Sequence, residues 1–328
     1  MIKFLASAIK FSTVFLFGAT GETINQKAGH LNMGTPGIMC LGGLGGVIGE
    51  RIYIASVPAS ASLNPFMVFF MPVLFAMLFG ALGGLIFSFF TVTLHCNQNV
   101  TGLTLTTLGV GFSAFLMDPA FIPISRMSEA HSMLENAFSW YGKLGWFGQI
   151  FLSQSWFTYL GIVVAIVAAI VIAKTKVGLH LRAVGENAAA ADSTGVNVNA
   201  YRYIATLIGG AISGIGGAFY ELNYTVTWSA SSIKDVSGYG WLALCIVIFS
   251  MWKPIIAIFA SFGFACLSYL PYFLNTNGYL NGIAYMFYVF QIVPYAATII
   301  VLVVTSAINS KRMQAPANLG VSYFREDR

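Results

Sequence analysis

Long apolar runs broken by short polar stretches set the rhythm of this chain. They fall near 4–20, 36–56, 65–92, 100–117, 156–173, 200–220, 238–252, 254–273 and 283–307. A helix needs about 20 apolar residues to cross a bilayer, and most of these runs come close to that length. A transmembrane barrel needs strands of about ten residues alternating in polarity, which the unbroken runs exclude. The pattern predicts an all-α polytopic membrane protein with roughly eight to ten transmembrane helices, some broken or re-entrant. Lys253-Pro254 divides 238–273 into two short spans or a hairpin, because proline lacks the helical donor and disfavours helix in the residue before it.

Composition strengthens this reading. Of 328 residues, 57% are hydrophobic and 8% are charged, whereas a soluble domain carries about a quarter charged residues. The net charge of +5 is spread over loops, so it marks sidedness and not nucleic-acid affinity. Cys40, Cys96, Cys245 and Cys266 show no CxxC spacing and read as inert thiols, with no metal or cofactor implied. Met1-Ile-Lys opens a run that resembles a signal peptide, but no Ala-x-Ala-like site follows, so it is kept as a membrane segment.

Positive charge gathers on the cytoplasmic side. Lys174, Lys176, Arg182 and Arg202 flank one polar stretch, and Lys311, Arg312, Arg325 and Arg328 end the chain, so both are expected to be cytoplasmic. The expected organisation is one transmembrane domain, 1–312, with a cytoplasmic loop at 174–199 and an external loop at 118–152, then a cytoplasmic tail, 313–328. Counting back places the N-terminus outside despite Lys3 and Lys10, a conflict that a first segment short of a full crossing would remove. Gly42/Gly46, Gly45/Gly49, Gly80/Gly84 and Gly210/Gly214, each four apart, predict close helix packing, since small residues let backbones approach in lipid.

No catalytic constellation is present. His30, His95, His131 and His180 are scattered, and the chain carries no GxxxxGK[ST] phosphate loop. Residues 22–37 turn from polar to glycine-rich at the start of a span, with Asn32 as the expected cap and Pro36 in the first turn. Such a helix start below the membrane surface would offer its N–H groups to a solute, which makes Asn32, Gly34 and Thr35 pathway candidates. Asn99, Thr104 and Thr107 belong to a second polar set at the start of the fourth run, and Glu221, Asn223 and Tyr224 end the sixth. Neutral polar groups dominate these sets, favouring an uncharged hydrogen-bonding solute over an ion. Glu22, Glu50, Asp118 and Glu221 are read as lying at segment ends.

Residues 178–199 are the most specific feature. This alanine-rich island of two short helical turns is what a soluble partner could grip. Gly178-Leu-His-Leu-Arg-Ala-Val-Gly-Glu-Asn, followed by Ala-Ala-Asp-Ser-Thr-Gly-Val-Asn-Val, resembles the cytoplasmic coupling loop of ABC-importer permeases of the branched-chain amino acid, ribose and nucleoside group. It is most similar to the nucleoside or simple-sugar branch, with its GLRLRAVGENPxAADxxGINV loop. The continuation Tyr201-Arg-Tyr-Ile-Ala-Thr-Leu-Ile-Gly-Gly-Ala, the element Lys27-Ala-Gly-His-Leu-Asn-Met-Gly and the tail Asn318-Leu-Gly-Val-Ser-Tyr are similar too. Ala188 replaces the family's usual proline and is expected to lengthen the first short helix. Thr35-Pro36 replaces a common Leu-Glu, so no ligand role of that glutamate carries over.

The resemblance implies a multi-pass permease of the bacterial cytoplasmic membrane that is not itself an enzyme. Its implied partners are cytoplasmic ABC ATPase subunits, a second permease subunit (identical or paralogous), an extracytoplasmic solute-binding protein or lipoprotein, and a small-molecule solute, most simply a nucleoside. A simple sugar or a riboflavin-like solute stands as the alternative. Gly178, Arg182, Ala183, Val184, Gly185, Glu186, Asn187, Ala190, Ala191 and Gly195 would form the coupling element, with Gly178 and Gly185 giving tight turns. The rival from another class, an ATP-independent secondary transporter, predicts inverted repeats and a buried coupling carboxylate.

Overall fold

The computed structural model describes residues 1–58, 60–117, 126–135, 137–138, 140–226, 229–277, 284–308 and 314–324, and every regular element among them is a helix. In chain order these are α1 (Ile2–Lys27), α2 (Thr35–Ser56), α3 (Pro65–Ser88), α4 (Gln98–Leu116), α5 (Met127–Glu135), α6 (Gly145–Phe147), α7 (Trp156–Lys174), α8 (Lys176–Glu186), α9 (Ala188–Ser193), α10 (Val198–Phe219), α11 (Ala230–Phe249), α12 (Pro254–Thr276), α13 (Ala284–Gln291) and α14 (Val293–Ile308). Wider π turns extend α3 through Phe89–Thr93 and α10 through Tyr220–Thr225. Asp118 lies outside the described residues, as do Lys311, Arg312, Arg325 and Arg328.

Among the described residues, eight helices are long and apolar enough to cross a membrane: α1, α2, extended α3, α4, α7, extended α10, α11 and α12. A shorter apolar stretch, Tyr285–Val301, follows. Of the two readings of 238–273, the short spans are corrected, and α11 and α12 form a hairpin of two full helices joined by a four-residue turn, 250–253. Pro254 opens a second full helix, and α11 begins at Ala230, where Ser229 and Ser232 form a reciprocal capping box. That first turn carries Ser231 and Ser232 and runs into Lys234 and Asp235, so the apolar run by itself starts the helix too late.

The first helix does not stop short. At its beginning Phe4 packs on Tyr269 and Phe273, and the Ala6 carbonyl accepts from Gln154. At its end the Lys27 carbonyl lies against Gly185. The N-terminus and the α8–α9 loop therefore sit at opposite ends of the bundle.

Glycine brings α2, α3 and α10 together. A Cβ on Gly42 would strike the backbone of Gly214, and one on Gly80 would strike the Gly210 carbonyl. Gly45 and Gly49 press on the α3 backbone at Phe75 and Met71, and Gly84 presses on Thr206. In lipid no hydrophobic force drives helices together, so van der Waals contact at such close range carries association. Each predicted glycine pair lies in these seams, and α1 joins through Gly21 against Gly209. Outside them the bundle exposes large apolar side chains such as Leu78, Leu82, Val163, Ile170 and Phe259, as a lipid-facing surface requires.

Candidate functional site

The loop after α7 is built by two capping residues. Thr175 adopts extended backbone and its Oγ1 accepts from Gly178 N at 3.1 Å, ending α7 and starting α8. Asn187, also extended, accepts from Ala190 N at 2.9 Å and starts α9. The expected lengthening at Ala188 is corrected: Asn187 keeps the break, and Ala188 is simply the first residue of α9. That is the position where a helix tolerates proline, so the alanine substitution leaves the geometry intact.

The candidate coupling residues divide between two faces. Glu186, Asn187, Ala190 and Gly195 are exposed, and Arg182 and Ala183 are half-buried. Gly178, Val184, Gly185 and Ala191 are buried against the chain itself. Gly178 and Gly185 are helical and do not make turns. A Cβ on Gly178 would meet the Val171 carbonyl, and one on Gly185 the Lys27 carbonyl. The left-handed backbone that glycine favours falls on Gly195, with φ +86°.

The C-terminal segment straps this loop to the bundle. Asn318 N donates to Gly185 O at 2.9 Å, Ala317 N to Glu186 Oε2 at 3.3 Å and Gly320 N to Gly29 O at 3.1 Å. Tyr323 OH donates to Asp192 Oδ2 at 2.9 Å, and its ring packs with Val184, Ala188, Ala191 and Val198. Phe324 meets His95 from the α3–α4 connection, ring centroids 4.6 Å apart. This strap has no hydropathic signature; its similarity to the family's tail is the one sequence signal it leaves.

Beneath the strap, the α1–α2 connection is organised around Glu22. Its carboxylate accepts from Asn25 Nδ2 (3.1 Å), Gln26 Nε2 (2.9 Å), Asn32 N (3.2 Å) and Thr35 Oγ1 (2.8 Å). Glu22, Glu50 and Glu221 lie near the ends of α1, α2 and extended α10, as expected, and all three are buried there. Asn32 does not cap α2. Gly34 holds the cap position, and Asn32 Oδ1 accepts from Gly34 N at 2.8 Å in a turn just before it. Thus Asn32, Gly34 and Thr35 come together around Glu22. Asn99, Thr104 and Thr107 do not join them. All three are exposed on α4, and both threonine hydroxyls donate to their own helix, at Val100 O and Leu103 O. Gln98 and Thr106 are the α4 residues whose side chains hydrogen-bond to the connection among the described residues, at Leu31 N (2.8 Å) and Met33 O (2.9 Å).

His30 and Arg202 complete this end. His30 is fully buried, with Nδ1 3.1 Å from Thr206 Oγ1. Thr206 has acceptors for its own proton at Asn25 Oδ1 and Arg202 O, so His30 Nδ1 is the donor in their contact. Burial, and then the neighbouring Arg202 cation, hold the His30 imidazole down at about 3, so it is neutral. Arg202 is 2% exposed. Its Nε and Nη2 find no hydrogen-bond partner among the described residues.

A glycine-seamed bundle of membrane-length helices with a small-residue loop at one end defines a multi-pass membrane protein. Residues 4–305 match the family described as "Branched-chain amino acid transport system / permease component", and the chain belongs to it. The chain is 31% identical over 323 residues to the nucleoside ABC transporter permease protein NupC of Lactococcus lactis, covering 98% of this chain and 96% of that one. It is 28% identical over 330 residues to the guanosine ABC transporter permease protein NupQ of Bacillus subtilis, covering 98% and 96%. It is also 28% identical over 337 residues to the putative glucose ABC transporter permease protein TsgC13 of Haloferax volcanii, covering 98% and 97%. No solved structure matches. The chain is a membrane permease component of an ABC transporter, with ATP hydrolysis in separate subunits and ATPase and binding-protein partners in general.

Proposed function

We propose that this chain is the alternating-access subunit of an importer for nucleosides, with α8 and α9 as the cytoplasmic handle moved by the ATPase. The observation that carries the reading is the two-faced loop. Its small exposed residues present a close-fitting surface, while Val184, Gly185 and Ala191 tie its inner face to α1 and the tail. Loop 174–199 and tail 313–328 are then cytoplasmic, and 118–152 is external, within a membrane domain spanning 1–312. Arg182, Ala183, Glu186, Asn187, Ala190 and Gly195 meet the ATPase, and Gly178 holds α8 against α7. ATP-driven closure pulls this handle and tilts the bundle between its two openings.

The solute assignment is supported by the names of the relatives from Lactococcus and Bacillus, which are nucleoside and guanosine permeases. Asn32, Gly34 and Thr35, with Asn99, Thr104 and Thr107, are proposed to line the route. The working assembly pairs this chain with a second permease subunit, identical or paralogous, and receives solute from an extracytoplasmic binding lipoprotein. The Haloferax relative, a putative glucose permease, supports a simple sugar as the second reading.

The test is uptake by the assembled transporter in proteoliposomes. Labelled guanosine and glucose are supplied with and without ATP, for wild type and Gly185→Val. Wild type should accumulate guanosine only with ATP, and the variant should insert normally yet lose about fivefold or more in uptake, because overpacking a tight contact costs about 1–3 kcal/mol. ATP-independent uptake by the chain alone would defeat the assignment.

A further inference from the structure

At the end of the bundle away from α8–α9, α11 carries a carboxylate that the mechanism above does not use. Asp235 lies one and a half turns into this membrane-length helix and is exposed. An acidic side chain facing lipid is strongly disfavoured, so one found in a span borders a cavity, a water path or a partner. The exposed positions beside it, Ser231 and Lys234, are polar too.

Tyrosines surround this carboxylate. Tyr220 OH donates to Asp235 Oδ2 at 3.3 Å. The Tyr220 ring stacks on Tyr224 with centroids 5.5 Å apart and 22° between planes, and lies 5.2 Å from Tyr239. Phe11 and Phe15 support Tyr239 from behind, at 5.0 and 5.7 Å. Tyr272 of α12 and Tyr295 of α14, both largely exposed, lie within electrostatic reach of Asp235. The Tyr295 hydroxyl also approaches Gly238, one helical turn further along α11.

We propose that Asp235 and the tyrosines around it form the solute-binding site of the outward-facing permease, the flat ring of a nucleoside lying on the aromatic wall. This rests on the nucleoside reading above. An ionised carboxylate only accepts hydrogen bonds, so the solute edge it holds must offer donors, and two adjacent donors match its two oxygens best. A nucleoside has two such edges: the N1–H and N2–H pair of guanine, and the 2′,3′-diol of ribose. Stacking of a base on an aromatic face is sequence-tolerant, so the carboxylate sets the choice and the tyrosines set the class.

The deciding experiment compares uptake of guanosine, 2′,3′-dideoxyguanosine and adenosine by the assembled transporter carrying wild-type, Asp235→Asn or Tyr220→Phe permease. The binding protein is common to every arm, so the variant-to-wild-type ratio reads the permease. ATPase stimulation by loaded binding protein should persist in both variants, showing that they fold and couple. Asp235→Asn should lower guanosine uptake by about tenfold or more, the loss expected when a charge-assisted hydrogen bond is removed. Tyr220→Phe, which removes only the hydroxyl, should have a smaller effect. Loss for both guanosines with adenosine spared assigns the carboxylate to the base edge. Loss for guanosine and adenosine with the dideoxy compound spared assigns it to the diol. Equal uptake by Asp235→Asn and wild type for all three overturns the site and leaves the importer reading standing. Absence of nucleoside uptake by wild type overturns both.

Discussion

Burial of a polar residue at the α8–α9 end of the bundle has its most direct consequence at His30, whose Nδ1 partner, Thr206, comes from α10. In the folded chain it takes a proton only near pH 3, because burial and Arg202 both oppose the charge. In the unfolded chain it titrates at its ordinary value of about 6.5. Between those values the unfolded state binds more protons, so stability falls as pH drops from 6.5 toward 3 and is flat above 6.5. The slope reaches at most about 1.4 kcal/mol per pH unit. Thermal unfolding of the detergent-purified protein at pH 7.0, 6.0 and 5.0 should show this loss in wild type. His30→Gln should have a shallower pH slope, whatever its absolute stability. Identical slopes for the two proteins would remove His30 from the account.

At the scale of elements side-chain capping sets the helix breaks, and the α8–α9 break tests it. Ala188 begins α9, where its N–H has no helical acceptor, and Asn187 before it has φ −151° and ψ 97°, backbone that a following proline accepts. Ala188→Pro should therefore leave stability within about 0.5 kcal/mol of wild type. Ala190→Pro should cost about 1 kcal/mol or more, because it removes the donor that Asn187 Oδ1 caps. Equal melting temperatures for the two variants would show that the side-chain cap does not hold the break. Much at this scale was legible in the sequence: the long helices follow from apolar runs, and the glycine seams follow from spacing of four. The inward face of α4 was not. In lipid both faces of a helix can be apolar, so polarity does not point inward as it does in water. Thr104 and Thr107 satisfy themselves on their own helix, while Gln98 and Thr106 make the contacts across. The burial of Glu22 was not legible for a related reason: the donors that make it tolerable come from the α1–α2 connection and the start of α2 as well as from α1, and pairings of that kind are set by the fold.

Across the whole molecule, if α8–α9 is the handle of the proposed function, a pull on it must reach helices that do not adjoin the ATPase, and the hydrogen bonds of the tail offer a route. Through Gly185, Gly29 and Asp192 it connects the handle to the α1–α2 connection, which Glu22 in turn fastens to α1 and α2. Trp252 Nε1 donates to Gln26 Oε1 at 2.6 Å, drawing the α11–α12 junction into the same network. If these parts move as one body, deleting residues 315–328 should spare insertion and basal ATP hydrolysis but lower the solute carried per ATP. The amides of 178–196 should then exchange with solvent faster, by roughly thirtyfold if the missing hydrogen bonds together contribute about 2 kcal/mol to local stability. Hydrogen exchange and transport stoichiometry are independent readouts of one cause. Faster exchange with an unchanged stoichiometry would mean that the tail stabilises the handle without transmitting its motion, and the route from ATPase to bundle would then run through the direct contact of Gly185 with the end of α1.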